Sequence, residues 1–271
     1  MIYLYWGNRI LSFLRYMGLY SCCKFGDNVT LILRKEENKD QLKVRQVWHE
    51  EQDFFSYEGI NYFEHVSKLP LTIEYLEDEY PDIAELNAPE VQTFDLLKWK
   101  ILATKGGVLV DLDIIFFKPI PEITHDIEII IFDKYPKKGY IPVSYMQGRP
   151  SKWWEEQYHK ALKNYNFNKY ESCGNDILKY TLKDIQRHDK NATVKRLPSK
   201  LVMPFAETHE WKYYHDMTFK EVHPLPEECV GIHWYGGANQ SYNNYFTHYN
   251  FRKNDCTISR VIESIYESID F

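Results

Sequence analysis

The chain has no apolar run close to the ~20 residues needed to cross a bilayer, and Asn8, Arg9 and Arg15 interrupt the N-terminus too early for a secretory signal peptide. A soluble protein is expected. Cysteine is scarce: there are five, two of them adjacent at Cys22 and Cys23, with no C-x-x-C spacing. This excludes a disulfide framework and a cysteine-ligated zinc site, and a reducing compartment is the simplest reading. The histidines show no H-x-x-H or similar ligand spacing, and no internal repeat or low-complexity linker is present. At 271 residues and 44% hydrophobic content the chain can bury a full core, as one elaborated domain or one with a small appendage. An excess of basic charge is also lacking. A net charge of −6 argues against nucleic acid, because phosphate contacts need clustered Lys and Arg. Local clusters at Lys134, Lys137 and Lys138, and at Lys195, Arg196 and Lys200, keep that partner open.

What is present is an alternation of short strands and helices, an α/β pattern. Ile2–Trp6 reads as a buried strand, 10–25 as an amphipathic helix ending at Gly26, and Val29–Leu33 and 127–132 as further strands. Residues 35–39 read as a charged turn, and 74–85 as an acidic, solvated helix or loop. A helix over 151–164 has Ser151 as its cap, and another over 174–182 begins with Asn175 and Asp176, both suited to capping. Aromatic residues make up 16% of the chain, and their density over 235–251 suits stacking on sugars or bases.

The chemistry concentrates at KGGVLVDLDIIFFKP, residues 105–119. A strand over 108–117 would place Asp111 and Asp113 on one face, about 6.6 Å apart, with Val110, Leu112 and Ile114 turned to the other. Two carboxylates at that distance repel by roughly 2 kcal/mol at an effective dielectric near 20. Something positive should sit between them, and oxygen ligands suit Mg²⁺ or Mn²⁺. A strand that ends early would instead leave both in a solvated turn. The preceding stretch, 87–107, has Pro89 in a first helical turn and Gly106 at a left-handed cap. Phe94, Leu97 and Ile101 make its core stripe, while Asp95 and Lys98 share another face, where spacing alone predicts a surface ion pair.

Helix, double glycine and D-x-D together resemble the family 32 glycosyltransferases and, more distantly, the glucosylating domain of the large clostridial toxins. The family pattern is roughly S-D-x-x-R-x-x-x-L-x-x-x-G-G-x-Y-x-D-x-D with a later K-P. Here it is met by Phe94, Asp95, Lys98, Leu102, Gly106, Gly107, Leu109, Asp111, Asp113, Lys118 and Pro119. Phe94, Lys98 and Leu109 depart from it, and Lys98 lacks the planar fork of arginine. MIYLYWGN resembles the family's first strand, and CVGIHWYGGANQSYNNY its late His-Trp segment.

The resemblance implies a GT-A type α/β fold with a mixed, mostly parallel sheet and helices on both faces. It implies one catalytic domain over 1–271, its donor half about 1–120 and its acceptor half about 121–271. The implied reaction is metal-dependent and retaining, moving a sugar from a nucleotide sugar, UDP-linked by preference, to a hydroxyl acceptor. Asp111 and Asp113 would hold Mn²⁺ or Mg²⁺, with His233 as third ligand or diphosphate contact. Asp95 and Lys98 would act with them on the donor, Trp6 would stack on its base, and Gly107 and the pair Gly236 and Gly237 would let backbone approach it. Asn175 and Asp176 would lie on the acceptor side. No carboxylate is assigned as nucleophile. Trp6 is equally readable as a core indole. A glycan or small glycoside is the default acceptor, a hydroxymethylated base of phage DNA the second. A non-catalytic nucleotide- or carbohydrate-binding module is the rival class. Eukaryotic relatives carry a membrane anchor, so a bacterial, phage or viral type of enzyme in a cytoplasm is expected.

Overall fold

The computed structural model of the chain describes residues 1–36, 59–132, 140–169, 171–178, 182–206, 211–236 and 240–266. Lys134, Lys137, Lys138, Gly237 and the end of the 35–39 turn lie outside them. The expected α/β organisation is present. Strands β1 (Ile2–Trp6), β2 (Val29–Leu33) and β3 (Leu71–Tyr75) precede short helices α2 (Leu76–Glu79) and α3 (Pro81–Glu85), with helix α1 (Phe13–Phe25) between β1 and β2. Then follow α4 (Glu90–Thr104), β4 (Gly107–Val110), β5 (Ile114–Phe116), β6 (Ile127–Ile130), β7 (Tyr145–Gly148), α5 (Lys152–Asn164), α6 (Leu182–His188) and β8 (Val194–Leu197). Helix α7 (Trp211–Phe219), strand β9 (Gly231–His233) and helices α8 (Gln240–Tyr245) and α9 (Thr257–Ile265) complete the order.

Seven strands form one sheet in the order β3-β2-β1-β4-β7-β6-β8, while β5 pairs with β9 apart from it. Pairing is parallel throughout the large sheet except for β7, which runs antiparallel to both neighbours. Strand β1 is apolar without alternation because both its faces are covered. Ile2 and Leu4 enter a core shared with α1, whereas Tyr3 and Tyr5 enter a second core shared with α4 and α5. The sheet thus carries helices on both faces. Among the described residues no helix is long and apolar enough to cross a membrane.

Several local expectations need correction. Helix α1 starts at Phe13, where Ser12 Oγ accepts the Arg15 N–H, and ends with the Gly26 N–H on the Cys22 carbonyl. It is buried nearly all round rather than on one face, and its first residue, Phe13, packs on Tyr62 and Phe251. The 74–85 segment is not simply solvated: Leu76, Tyr80 and Ile83 form an inner face. Ser151 occupies the N-cap of α5 but makes no side-chain cap bond. In place of a helix over 174–182 there is a short 3-10 turn, Asn175–Ile177, before α6. The aromatic run over 235–251 is mostly core, with Phe246 and Phe251 buried and Tyr245 and Tyr249 exposed.

The largest correction concerns 108–117. The strand breaks after Val110, and Asp111, Leu112 and Asp113 form a turn closed by the Ile114 N–H on the Asp111 carbonyl. The cause is tertiary. Beyond the turn the chain leaves the large sheet to pair with β9 and to meet α1, where Ser21 Oγ accepts the Phe116 N–H. Helix and turn touch at Gly18, where a Cβ would fall 2.2 Å from the Leu112 carbonyl oxygen.

Candidate active site

Helix α4 delivers the first two polar groups. Its start at Pro89 and its end at the Gly106 and Gly107 pair, with φ of +67° and +124°, orient it against β4. Asp95 and Lys98 are 4% and 2% exposed, so the surface-pair expectation fails. Lys98 Nζ lies 3.3 Å from Asp95 and 2.6 Å from Asp111 Oδ1, tying the helix to the motif. Burial opposes charge on Lys98, but Asp111 and Asp95 outweigh it and raise its pKa. Burial pushes the Asp95 carboxyl up to about 6; the Lys98 charge pulls it down and the Asp111 charge adds to the rise. Burial likewise raises Asp111, against the attraction of Lys98.

Asp113 is held from the other side. Its Oδ1 lies 3.1 Å from His233 Nε2, and its Oδ2 accepts the Gly236 N–H at 2.7 Å. Its backbone carbonyl accepts the Trp234 N–H at 2.9 Å. Burial would raise this carboxyl. The His233 contact, the Arg15 charge and the Gly236 N–H together hold it well below the usual carboxylate range. His233 arrives on β9, paired with Ile114, and its N–H bonds Val202. Its ring packs against Tyr235, whose φ of +54° is a left-handed conformation uncommon for a bulky residue.

Asp111, Asp113 and His233 therefore converge, each offering a ligand atom within 4.8 Å of the others. Two carboxylates and one imidazole form a donor set that suits Mn²⁺ or Mg²⁺. Asp111 Oδ1 meets Lys98 and Asp113 Oδ1 meets His233 Nε2 as charged contacts at the site, and the buried His233 Nδ1 has no hydrogen-bond partner. The residues present fit a divalent cation. Side-chain exposures of 28% for Asp111 and 15% for Asp113 leave it a way in.

Other predicted residues divide. Trp6 ends β1 beside β4; it is half-buried, its indole N–H bonds the Ile10 carbonyl, and the Arg15 guanidinium sits 4.5 Å over its ring. Gly236 donates to Asp113. Gly107 does not join the site: it opens β4 at the end away from Asp111, where a Cβ would strike the Tyr3 ring and the Met1 carbonyl. Asn175 accepts the Val143 N–H at 3.2 Å, next to Ser144, whose carbonyl accepts the Asp111 N–H. Gly174 is needed there, since a Cβ would lie 2.3 Å from Asp95 Oδ2. Asp176 is turned instead to Lys169, 2.6 Å away.

Sequence reasoning passed over Arg15, Gly18 and Ser144. Ser144 is one step beyond the Val110 and Tyr145 pair, so it faces Asp111 across the ladder, and its buried hydroxyl has no hydrogen-bond partner. A polar residue before a strand was its only signal. Arg15 stands between Trp6 and Trp234, a position visible only in three dimensions.

Residues 32–130 match the family described as glycosyltransferase sugar-binding region containing DXD motif. That span includes Asp95, Lys98, Asp111 and Asp113; Trp6 and His233 lie outside it. Among solved structures, one titled PaToxG Glycosyltransferase is 15% identical over 70% of this chain and 69% of its own, with a TM-score of 0.48. No curated protein sequence matches. The sheet order, the buried Asp95 and Lys98 behind the motif and the family match agree with a GT-A type fold. With its D-x-D motif folded into a convergent cluster inside the matched region, residues 32–130 of the chain are similar to the sugar-binding region of the DXD glycosyltransferases.

Proposed function

We propose that the chain is a metal-dependent, retaining glycosyltransferase that moves a sugar from a nucleotide sugar, UDP-linked by preference, to a hydroxyl of a glycan. The convergence of Asp111, Asp113 and His233 carries this reading. Mn²⁺ or Mg²⁺ bound there supplies a Lewis acid for the charge that develops on the departing diphosphate.

The chain's own residues bind and orient the donor. Lys98 keeps Asp111 ionised in a buried setting. Asp95, backed by Gly174, offers carboxylate oxygens to sugar or ribose hydroxyls. Trp6, at the carboxyl end of β1 and next to the point where the sheet order reverses, lies where open α/β sheets bind ligands and stacks on the base. Asn175 fixes the 140–144 segment on the acceptor side. In this reading 1–271 works as one catalytic unit, with its donor half about 1–120. A cytoplasmic setting of bacterial, phage or viral type is part of the proposal, supported by five free cysteines.

The test is release of nucleoside diphosphate from a panel of sugar nucleotides in Mn²⁺, followed by mass spectrometry of candidate glycans. Release that vanishes in Asp113→Asn is the expected result. Donor binding without release points to a binding module, and neither binding nor release from any donor overturns the reading.

A further inference from the structure

In the nucleotide-sugar reading above, the diphosphate needs a cation from the protein. Lys98 is poorly placed to be it, since its ammonium is 2% exposed and engaged by Asp95 and Asp111. Three carboxylates then face one ammonium. A divalent cation brings that group to neutrality, and the diphosphate arrives with its own negative charge still uncompensated.

A second cation, Arg15, comes from α1. Its guanidinium lies 4.5 Å from the Trp6 ring and 5.9 Å from the Trp234 ring, between the base-stacking candidate and the segment that follows His233. One of its terminal nitrogens is 3.3 Å from where a Cβ on Gly236 would stand. Gly236 is the residue whose N–H holds Asp113. Arg15 is half-buried rather than sealed, and Ser12 caps the turn it belongs to. An arginine offers paired donors to two oxygens at once, which a phosphate accepts and a lone ammonium cannot match.

We infer that Arg15 is a diphosphate-binding residue of this site, bridging the donor phosphates between Trp6 and the metal cluster. The inference rests on the nucleotide-sugar reading and assigns a contact outside the matched region.

The experiment measures binding of UDP and of uridine, each with Mn²⁺, to the full chain and to Arg15→Gln and Arg15→Lys. Charge-assisted hydrogen bonds of this kind change affinity by about 10- to 100-fold. UDP binding should weaken by that factor in Arg15→Gln and by less in Arg15→Lys, while uridine binding holds or tightens as the Trp6 face is freed. Unchanged UDP affinity in both variants overturns the inference, as does equal weakening of UDP and uridine, which would make Arg15 a support for Trp6 alone. If Arg15→Gln fails to fold, Arg15→Lys still decides between the two outcomes. A wild-type chain that binds neither UDP nor any sugar nucleotide refutes the functional reading itself, a result distinct from wild-type binding that Arg15→Gln leaves untouched.

Discussion

Lys98 holds together two buried carboxylates that would otherwise repel, so its removal should be felt first in the fold. Lys98→Ala leaves Asp95 and Asp111 without their shared cation, and breaking a buried pair from one side costs about 3 to 5 kcal/mol. Chemical denaturation at neutral pH should show that loss, and a variant as stable as wild type would return the pair to surface status. Asp113 and Asp95 should respond to acid in opposite senses. The His233 contact holds Asp113 below the ordinary carboxylate value of 3.8, so it contributes stability above that pH and loses it as pH falls through the folded value. Asp95 titrates at about 6 in the fold against 3.8, so its contribution is full below 3.8 and lost as pH rises through about 6. Asp95→Asn should therefore flatten the part of the melting profile between pH 4 and 6 that wild type shows. An unaltered slope would remove Asp95 as its source. The two aspartates of the motif, Asp95 and Lys98 were readable from spacing and resemblance. That Asp95 and Lys98 are buried was not, because three-residue spacing describes a helix face without saying what lies against it. His233 was reachable only through the family pattern, since a lone histidine carries no spacing signal.

Among the elements, β1, β2 and α4 with its glycine end were legible, because both-sided burial and helix-end chemistry are written locally. The break in 108–117 was not. The apolar run continues through Ile114 and Phe116 with no turn-forming residue beyond the aspartates themselves, and the cause lies in α1 and β9. Gly18 is the contact that enforces it. Gly18→Ala must move either the helix or the Leu112 carbonyl, and overpacking of this sort costs about 1 to 3 kcal/mol. Because the displaced carbonyl belongs to the D-x-D turn, Mn²⁺ affinity should fall further than stability does. Isothermal titration of the folded variant checks this, and wild-type affinity would show that the turn holds its shape without the helix.

For the whole molecule, the sheet order and the two cores follow from an α/β pattern, yet how β5 and β9 come together could not be read from residues so distant in sequence. A ligand that binds only the folded chain adds stability by mass action. Mn²⁺ with UDP at a hundredfold excess over its dissociation constant should add about 2.7 kcal/mol, a melting shift on the order of 2 to 4 °C for a chain of this size. Asp113→Asn should lose the metal-dependent part. The same variant without ligand should be less stable than wild type, because its partners are His233 and the Gly236 N–H rather than bare repulsion with Asp111.

The bond from Gly236 to Asp113 joins residues 123 apart in sequence. Closing so long a loop is entropically expensive in the unfolded chain, although the expense grows only by about 0.6 kcal/mol for each doubling of length. A cation shared by Asp113 and His233, as proposed for this site, would then act as a clip across that loop. The site should accordingly be assembled late in folding, after α1 and the strands that pair locally in the sheet. In refolding from denaturant, far-ultraviolet dichroism should recover ahead of the capacity to bind Mn²⁺ and UDP. Simultaneous recovery of the two signals would mean that the ends of the loop meet as early as the helices form.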